Sequence, residues 1–145
     1  MRSPGGRLSG MDQRINVVTL VVADLAAARR FYIDALGWTP SMDAPEILMV
    51  RVGEKLILSL WAEDDAVREL GPVGRSGRLP FTLAYNTSSP EDVDAVLDAA
   101  ASGGATVSPA VRRDWGGYSG YFDDPCGFTW EVAHNPFPIG DVTLP

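Results

Sequence analysis

The chain has 145 residues, of which 46% are hydrophobic and 21% charged, with a formal net charge of −7. That length can bury a core in one domain without staples, and the single cysteine, Cys126, excludes an intrachain disulfide. The acidic balance disfavours nucleic acid, whose phosphates need a basic footprint, and no apolar run approaches the ~18–20 residues that span a bilayer. Residues 1–13 read as a leader whose Gly, Ser and Arg content lacks the apolar stretch of a secretory signal. With one unpaired cysteine, this makes cytoplasmic the expected location.

In chain order, Asn16 to Val22 is β-branched and apolar and predicts a buried strand. Asp24 caps a helix in which Leu25, Ala28, Phe31, Tyr32, Ala35 and Leu36 recur at helical spacing, and Gly37 ends it. Ile47 to Val52 and Leu56 to Trp61 flank Gly53-Glu54 as a hairpin, and Glu63 to Leu70 predicts a short helix. Residues 71–79, rich in Gly, Pro and Arg, read as a linker. The plan then repeats. Phe81 to Asn86 is a strand, and Ser89-Pro90-Glu91-Asp92 supplies a cap, a first-turn proline and first-turn acids for a helix. Val93, Val96, Leu97 and Ala100 form its stripe and Gly103-Gly104 its end. Thr106 to Arg112 is a strand, and Tyr118 to Phe122 with Phe128 to Ala133 is a hairpin around Asp124-Pro125-Cys126-Gly127. The tail, 136–145, is proline-bearing and expected to be irregular. Strand–helix–strands used twice predicts an α+β fold, with antiparallel hairpins and helices on one face.

Thr19-Leu20-Val21-Val22-Ala23-Asp24-Leu25, Phe31-Tyr32, Leu36-Gly37-Trp38 and the closing Tyr121-Phe122, Asp124-Pro125-Cys126-Gly127 and Glu131 together resemble the vicinal oxygen chelate superfamily. That group includes glyoxalases, extradiol dioxygenases, fosfomycin-modifying enzymes and bleomycin-binding proteins, and Trp115-Gly116-Gly117-Tyr118-Ser119-Gly120 is similar to a little-characterised branch. The resemblance implies two paired βαβββ modules forming a half-open barrel: a single domain over 14–135, with module 1 at about 14–70 and module 2 at about 80–135. It also implies a concave small-molecule pocket and a homodimer.

In metal-using relatives four pocket positions supply ligands. The resemblance puts these on Val17, within Leu58-Ser59-Leu60-Trp61, on or near Thr82, and on Glu131. One carboxylate does not hold a metal that asks for three or four N, O or S donors, so no metal ligand set and no cofactor is expected, a divalent metal being the alternative. His134 lies three residues beyond Glu131, hence on the opposite face of a continuing strand, and reads as a surface or packing residue. Cys126 reads as an inert turn thiol.

Strand alternation puts Val17, Thr19 and Val21 on one wall, Thr82, Ala84 and Asn86 on another, and Thr129, Glu131 and Ala133 on a third. Trp61, Trp115, Tyr118 and Tyr121 are placed at the mouth. The ligand-binding candidates are therefore Thr19, Trp61, Thr82, Asn86, Trp115, Tyr118, Tyr121, Thr129 and Glu131. Glu131 admits three roles: a proton acceptor, which makes it the one catalytic candidate, a polar anchor, or a buried carboxylate satisfied by hydroxyls. The leading expectation is metal-independent binding of a hydrophobic or aromatic small molecule, such as a natural product or antibiotic. The alternatives are an enzyme of this fold, a glyoxalase-like lyase, isomerase or dioxygenase using Glu131 as base or metal ligand, and a non-catalytic interaction domain.

Overall fold

The computed structural model describes residues 10–145, so most of the expected 1–13 leader lies outside the described residues. Module 1 comprises β1 (Val17–Val22), α1 (Leu25–Arg29), β2 (Met42–Asp43), β3 (Ile47–Gly53), β4 (Leu56–Ala62) and α2 (Glu63–Leu70). Module 2 comprises β5 (Leu83–Thr87), α3 (Pro90–Ser102), β6 (Thr106–Arg112), β7 (Tyr118–Asp123), β8 (Thr129–His134) and α4 (Pro138–Asp141). The sheets have the orders β1-β4-β3-β2 and β5-β8-β7-β6, so the second repeats the first strand for strand. In each, the first strand runs parallel to the last and the remaining pairs are antiparallel. The fold is α+β, built from two βαβββ units whose sheets do not close into a barrel.

Local chemistry sets the helix ends. The Asp24 carboxylate accepts from the Ala27 amide at 3.0 Å, and the Ser89 hydroxyl from the Asp92 amide at 3.2 Å, each satisfying a donor that the first helical turn leaves bare. From Arg30 to Ala35 the first helix continues in π geometry, with the Leu36 amide bonded to the Phe31 carbonyl at 2.9 Å. Phe31 and Tyr32, adjacent in sequence, are both 1% exposed. Two elements depart from expectation. The two-residue β2 is too short to show a period, and the tail folds into α4, where Pro138 occupies a first-turn position that needs no amide. The linker is pinned by Arg75, which bridges Glu63 at 2.8 Å and donates to the Val21 carbonyl at 2.6 Å.

One apolar core serves both modules. Leu20, Val22, Leu48, Val50, Leu58 and Leu60 face inward from the first sheet, and Phe122, Trp130 and Val132 from the second. Phe31 and Tyr32 pack between them: the Phe31 ring lies 5.9 Å from Phe122, and the Tyr32 ring 6.3 Å from Trp130. The Trp130 indole N–H donates to the Tyr32 hydroxyl at 2.9 Å, and that hydroxyl donates to the Asp124 carboxylate. Asp124, 4% exposed, also accepts from the amides of Cys126 and Phe128 at 2.8 and 2.9 Å and so shapes the β7–β8 turn. Both sheets thus turn their helix-bearing faces toward one another, and their other faces point away from the shared core. Among the described residues no helix is long and apolar enough to cross a membrane.

Candidate functional site

The period of two along each strand fixes which residues reach the outer faces. On the first sheet, Thr19 pairs with Ser59 and Val21 with Trp61, while Ser59 and Met49 are partners across β3 and β4. This face is apolar with a few hydroxyls: Val17 is 47% exposed, Thr19 is exposed and Trp61 half-buried. Ser59 is 1% exposed, and its hydroxyl has no hydrogen-bond partner among the described residues.

The outer face of the second sheet is polar. Tyr121 and Glu131 stand opposite each other on β7 and β8, and the phenol donates to the Glu131 carboxylate at 3.0 Å. That bond, with burial and the charge of Glu131, raises the Tyr121 hydroxyl pKa above its ordinary 10.0. The Arg113 guanidinium lies 5.6 Å from the Tyr121 ring centre and donates to the Ser119 hydroxyl and carbonyl, both at 2.9 Å. Lower on the face, Arg78 donates to the Thr129 hydroxyl at 2.6 Å, which donates in turn to Asp123 at 2.6 Å. Arg78 and Asp123 close the triangle at 3.3 Å. Around these groups lies a concavity of about 310 Å³, lined by Arg78, Thr82, Thr106, Ser108, Tyr121, Phe122, Asp123 and Thr129. Nothing in the sequence places Arg78 or Arg113 on this face: Arg113, beside Arg112, reads as part of a solvated basic edge, and neither a linker nor a strand end carries a periodic signal.

The remaining candidates are scattered. Asn86 lies on the outer face, where its amide donates to the Thr143 hydroxyl of the tail at 2.8 Å. Trp115 is 45% exposed, its ring folded so closely over Gly117 that a Cβ there would meet it at 1.8 Å. Tyr118 lies on the helix side of its sheet, three residues and therefore one face away from Tyr121, and its hydroxyl donates to Asp94 of α3 at 2.7 Å. His134, also on the side opposite Glu131, has Nδ1 3.2 Å from the Thr87 carbonyl. The Cys126 thiol is half-buried, and desolvation, followed by the charges of Asp124 and Asp24, pushes its pKa up to about 12. A thiol so shifted holds little nucleophilic thiolate at neutral pH.

Thr82, Tyr121, Thr129 and Glu131 are therefore brought together on the second sheet, while Thr19 and Trp61 share the outer face of the first. One chain does not join the two sets. The four positions that the resemblance assigns to metal ligands carry a donor set that does not suit a divalent ion: Val17, Leu58, Leu60 and Trp61 offer no lone pair, Ser59 and Thr82 offer neutral hydroxyls, and Glu131 is the one carboxylate. Among the described residues no group of three His, Cys, Asp or Glu side chains could hold a metal.

A family model described as Glyoxalase/Bleomycin resistance protein/Dioxygenase superfamily matches residues 14–132. No curated protein matches the chain. Among solved structures, the chain is 31% identical to a glyoxalase-related enzyme from Fulvimarina pelagi, with a TM-score of 0.78 over 86% of this chain and 89% of that one. A glyoxalase/bleomycin resistance protein/dioxygenase from Nocardioides is 27% identical, with a TM-score of 0.70 over 88% and 86%. A lactoylglutathione lyase from Agrobacterium tumefaciens shares the fold at 24% identity, with a TM-score of 0.66 over 86% and 95%.

Proposed function

Since the chain belongs to the glyoxalase/bleomycin resistance protein/dioxygenase superfamily, we propose that it binds a hydrophobic or aromatic small molecule with a polar group, without a resident metal. The observation that carries this reading is the Tyr121–Glu131 pair at 3.0 Å, set on an outer sheet face beside a concavity of about 310 Å³. A carboxylate that no cation among the described residues approaches within ion-pair distance can accept from a ligand hydroxyl or amine, and the phenol holds it in place. Natural products and antibiotics with aromatic rings and hydroxyl or amine groups are ligands of this chemistry. The single unpaired Cys126 supports a cytoplasmic home for this activity.

The protein works, on this reading, as a homodimer. The apolar face carrying Val17, Thr19 and Trp61 and the polar face carrying Glu131 point away from each other within one chain, so a ligand can touch both only where two copies meet. A two-fold pair, with the first sheet of each copy opposite the second sheet of the other, makes two equal sites and leaves neither face uncovered.

The test is calorimetric titration with a panel of aromatic natural products, followed by Glu131→Gln. Binding that weakens about tenfold in the variant, the equivalent of ~1.4 kcal/mol, is expected. A panel that never binds, or a variant that binds equally well, overturns the reading. For the dimer, a copy with Thr19→Trp is co-expressed with a copy carrying Glu131→Gln. If the two sheets meet across copies, the pure Thr19→Trp pair loses binding and the mixed pair regains one intact site; if each chain acts alone, the pure Thr19→Trp pair, which keeps Glu131, binds like the parent.

A further inference from the structure

On the opposite side of the second sheet, the modules leave a cleft of about 200 Å³ between the π-helical turn, α3 and β8. Its wall is aromatic. Tyr32 lies 5.3 Å from Trp38 and 6.3 Å from Trp130 between ring centres, and the two indoles are 6.0 Å apart at 77°. Phe122 stacks behind Trp130, with centres 5.9 Å apart and planes inclined by 11°. The room comes from α3, which presents the small side chain of Ala99 where a larger one would close the space.

Tyr85 shows that the space is unfilled. Its register with Val132 puts it on the helix side of the sheet, yet it is 47% exposed and stands at the mouth. Among the described residues, neither its hydroxyl nor the Trp38 indole N–H has a hydrogen-bond partner. A wider cleft of about 510 Å³ lies beyond the same Trp38, Tyr85 and Trp130 and reaches the first sheet.

The geometry points to a second binding site here, separate from the outer faces, for a neutral, planar aromatic molecule of about two fused rings. Size, shape and charge each contribute. An apolar cavity of about 150 Å³ holds a benzene ring, so the larger cleft takes a fused pair. Indole and phenol rings set at steep angles offer both faces and edges to a flat guest. No charged side chain lines the smaller cleft, and Arg51 in the wider one is turned to the Gly53 and Glu54 carbonyls, so an ionised guest would surrender its water with nothing to replace it, whereas one hydroxyl can meet Tyr85 or Trp38 at the rim.

The experiment follows the four tryptophan indole N–H signals of the full chain by ¹H–¹⁵N correlation spectroscopy during titration with 2-naphthol, the signals being assigned with Trp→Phe variants. Saturable shifts are expected at Trp38 and Trp130 and not at Trp61 or Trp115. Ala99→Phe, at an exposed position on the rim, is expected to weaken binding at least about tenfold with an unchanged melting temperature. Naphthalene-2-carboxylate should bind at least about tenfold more weakly than 2-naphthol. Shifts confined to Trp61 or Trp115, no shift up to the solubility limit, or full affinity in Ala99→Phe would overturn the site. Equal affinity for the carboxylate would overturn the choice of a neutral guest.

Discussion

Tyr32 and Asp124 lie 92 residues apart in the chain, on different modules, yet the phenol of one donates a hydrogen bond to the buried carboxylate of the other. The bond joins the π-helical turn of module 1 to the β7–β8 turn of module 2, and Trp130 closes the group by donating to the same phenol oxygen. It is the polar contact at the centre of an otherwise apolar seam.

Tyr32→Phe keeps the ring and removes this connection. The carboxylate retains the amides of Cys126 and Phe128, but the Trp130 N–H loses its acceptor in the core. The variant should lose about 1–3 kcal/mol in urea unfolding, the cost of leaving buried polar groups unmatched. A midpoint equal to that of the parent would show that the seam is held by ring packing alone.

The same carboxylate gives stability a pH dependence. Burial raises the Asp124 pKa above 3.8 in the fold, more than its hydrogen bonds from Tyr32 and the backbone lower it. The folded state therefore holds its proton to higher pH than the unfolded chain does. The contribution is fully present below the unfolded value and is lost as pH rises through the raised folded value. The stability of the parent minus that of Asp124→Asn should fall as pH is taken upward from about 4. A difference that grows with pH contradicts the direction of this shift.

Gly120→Ala tests the close approach of α3 to β7. A Cβ at this position would lie 2.8 Å from the Ser108 carbonyl oxygen and 2.9 Å from the Ala110 nitrogen, backbone atoms at the β6 bulge, and 2.5 Å from a Leu97 methyl. Leu97 can turn aside but the bulge cannot, so a loss of about 1–3 kcal/mol is expected in thermal or urea unfolding. A neutral substitution would mean that the bulge shifts freely.

Cys126 should resist thiol reagents while the protein is folded. With its pKa moved from 9.0 to about 12, the thiolate fraction at pH 8 falls by about a thousandfold, and so does the rate with iodoacetamide. The rate should rise to that of a free thiol once the chain is unfolded in urea. Fast labelling of the native protein would sink this account of the turn.

The parts of this fold that were legible in the sequence rest on neighbours in the chain. Asp24 and Ser89 cap the helices they precede, Gly103 stands at the end of α3, and alternation puts Trp130 and Glu131 on opposite faces. Which face would be covered was not local information: it depends on Tyr32 reaching Asp124 across the whole chain. Tyr118 is different, because its signal was present. It stands three residues from Tyr121, the same spacing that separates Glu131 from His134, and so it belongs to the helix side. Arg78 and Arg113 gave no such signal, since a side chain leaving a linker or a strand end obeys no period. The α4 turn was hidden by prolines, which read as breakers although a helix tolerates one at its start.

Strand β8 carries Trp130 toward the aromatic cleft and Glu131 toward the polar face, so a single strand separates an apolar side from a polar one. Deleting one residue from the turn between Asp124 and Phe128 would turn that partition inside out, sending the carboxylate into the apolar seam and the indole to water. The length of this short turn therefore guards both faces at once, and either face could be altered by substitution far more readily than by insertion.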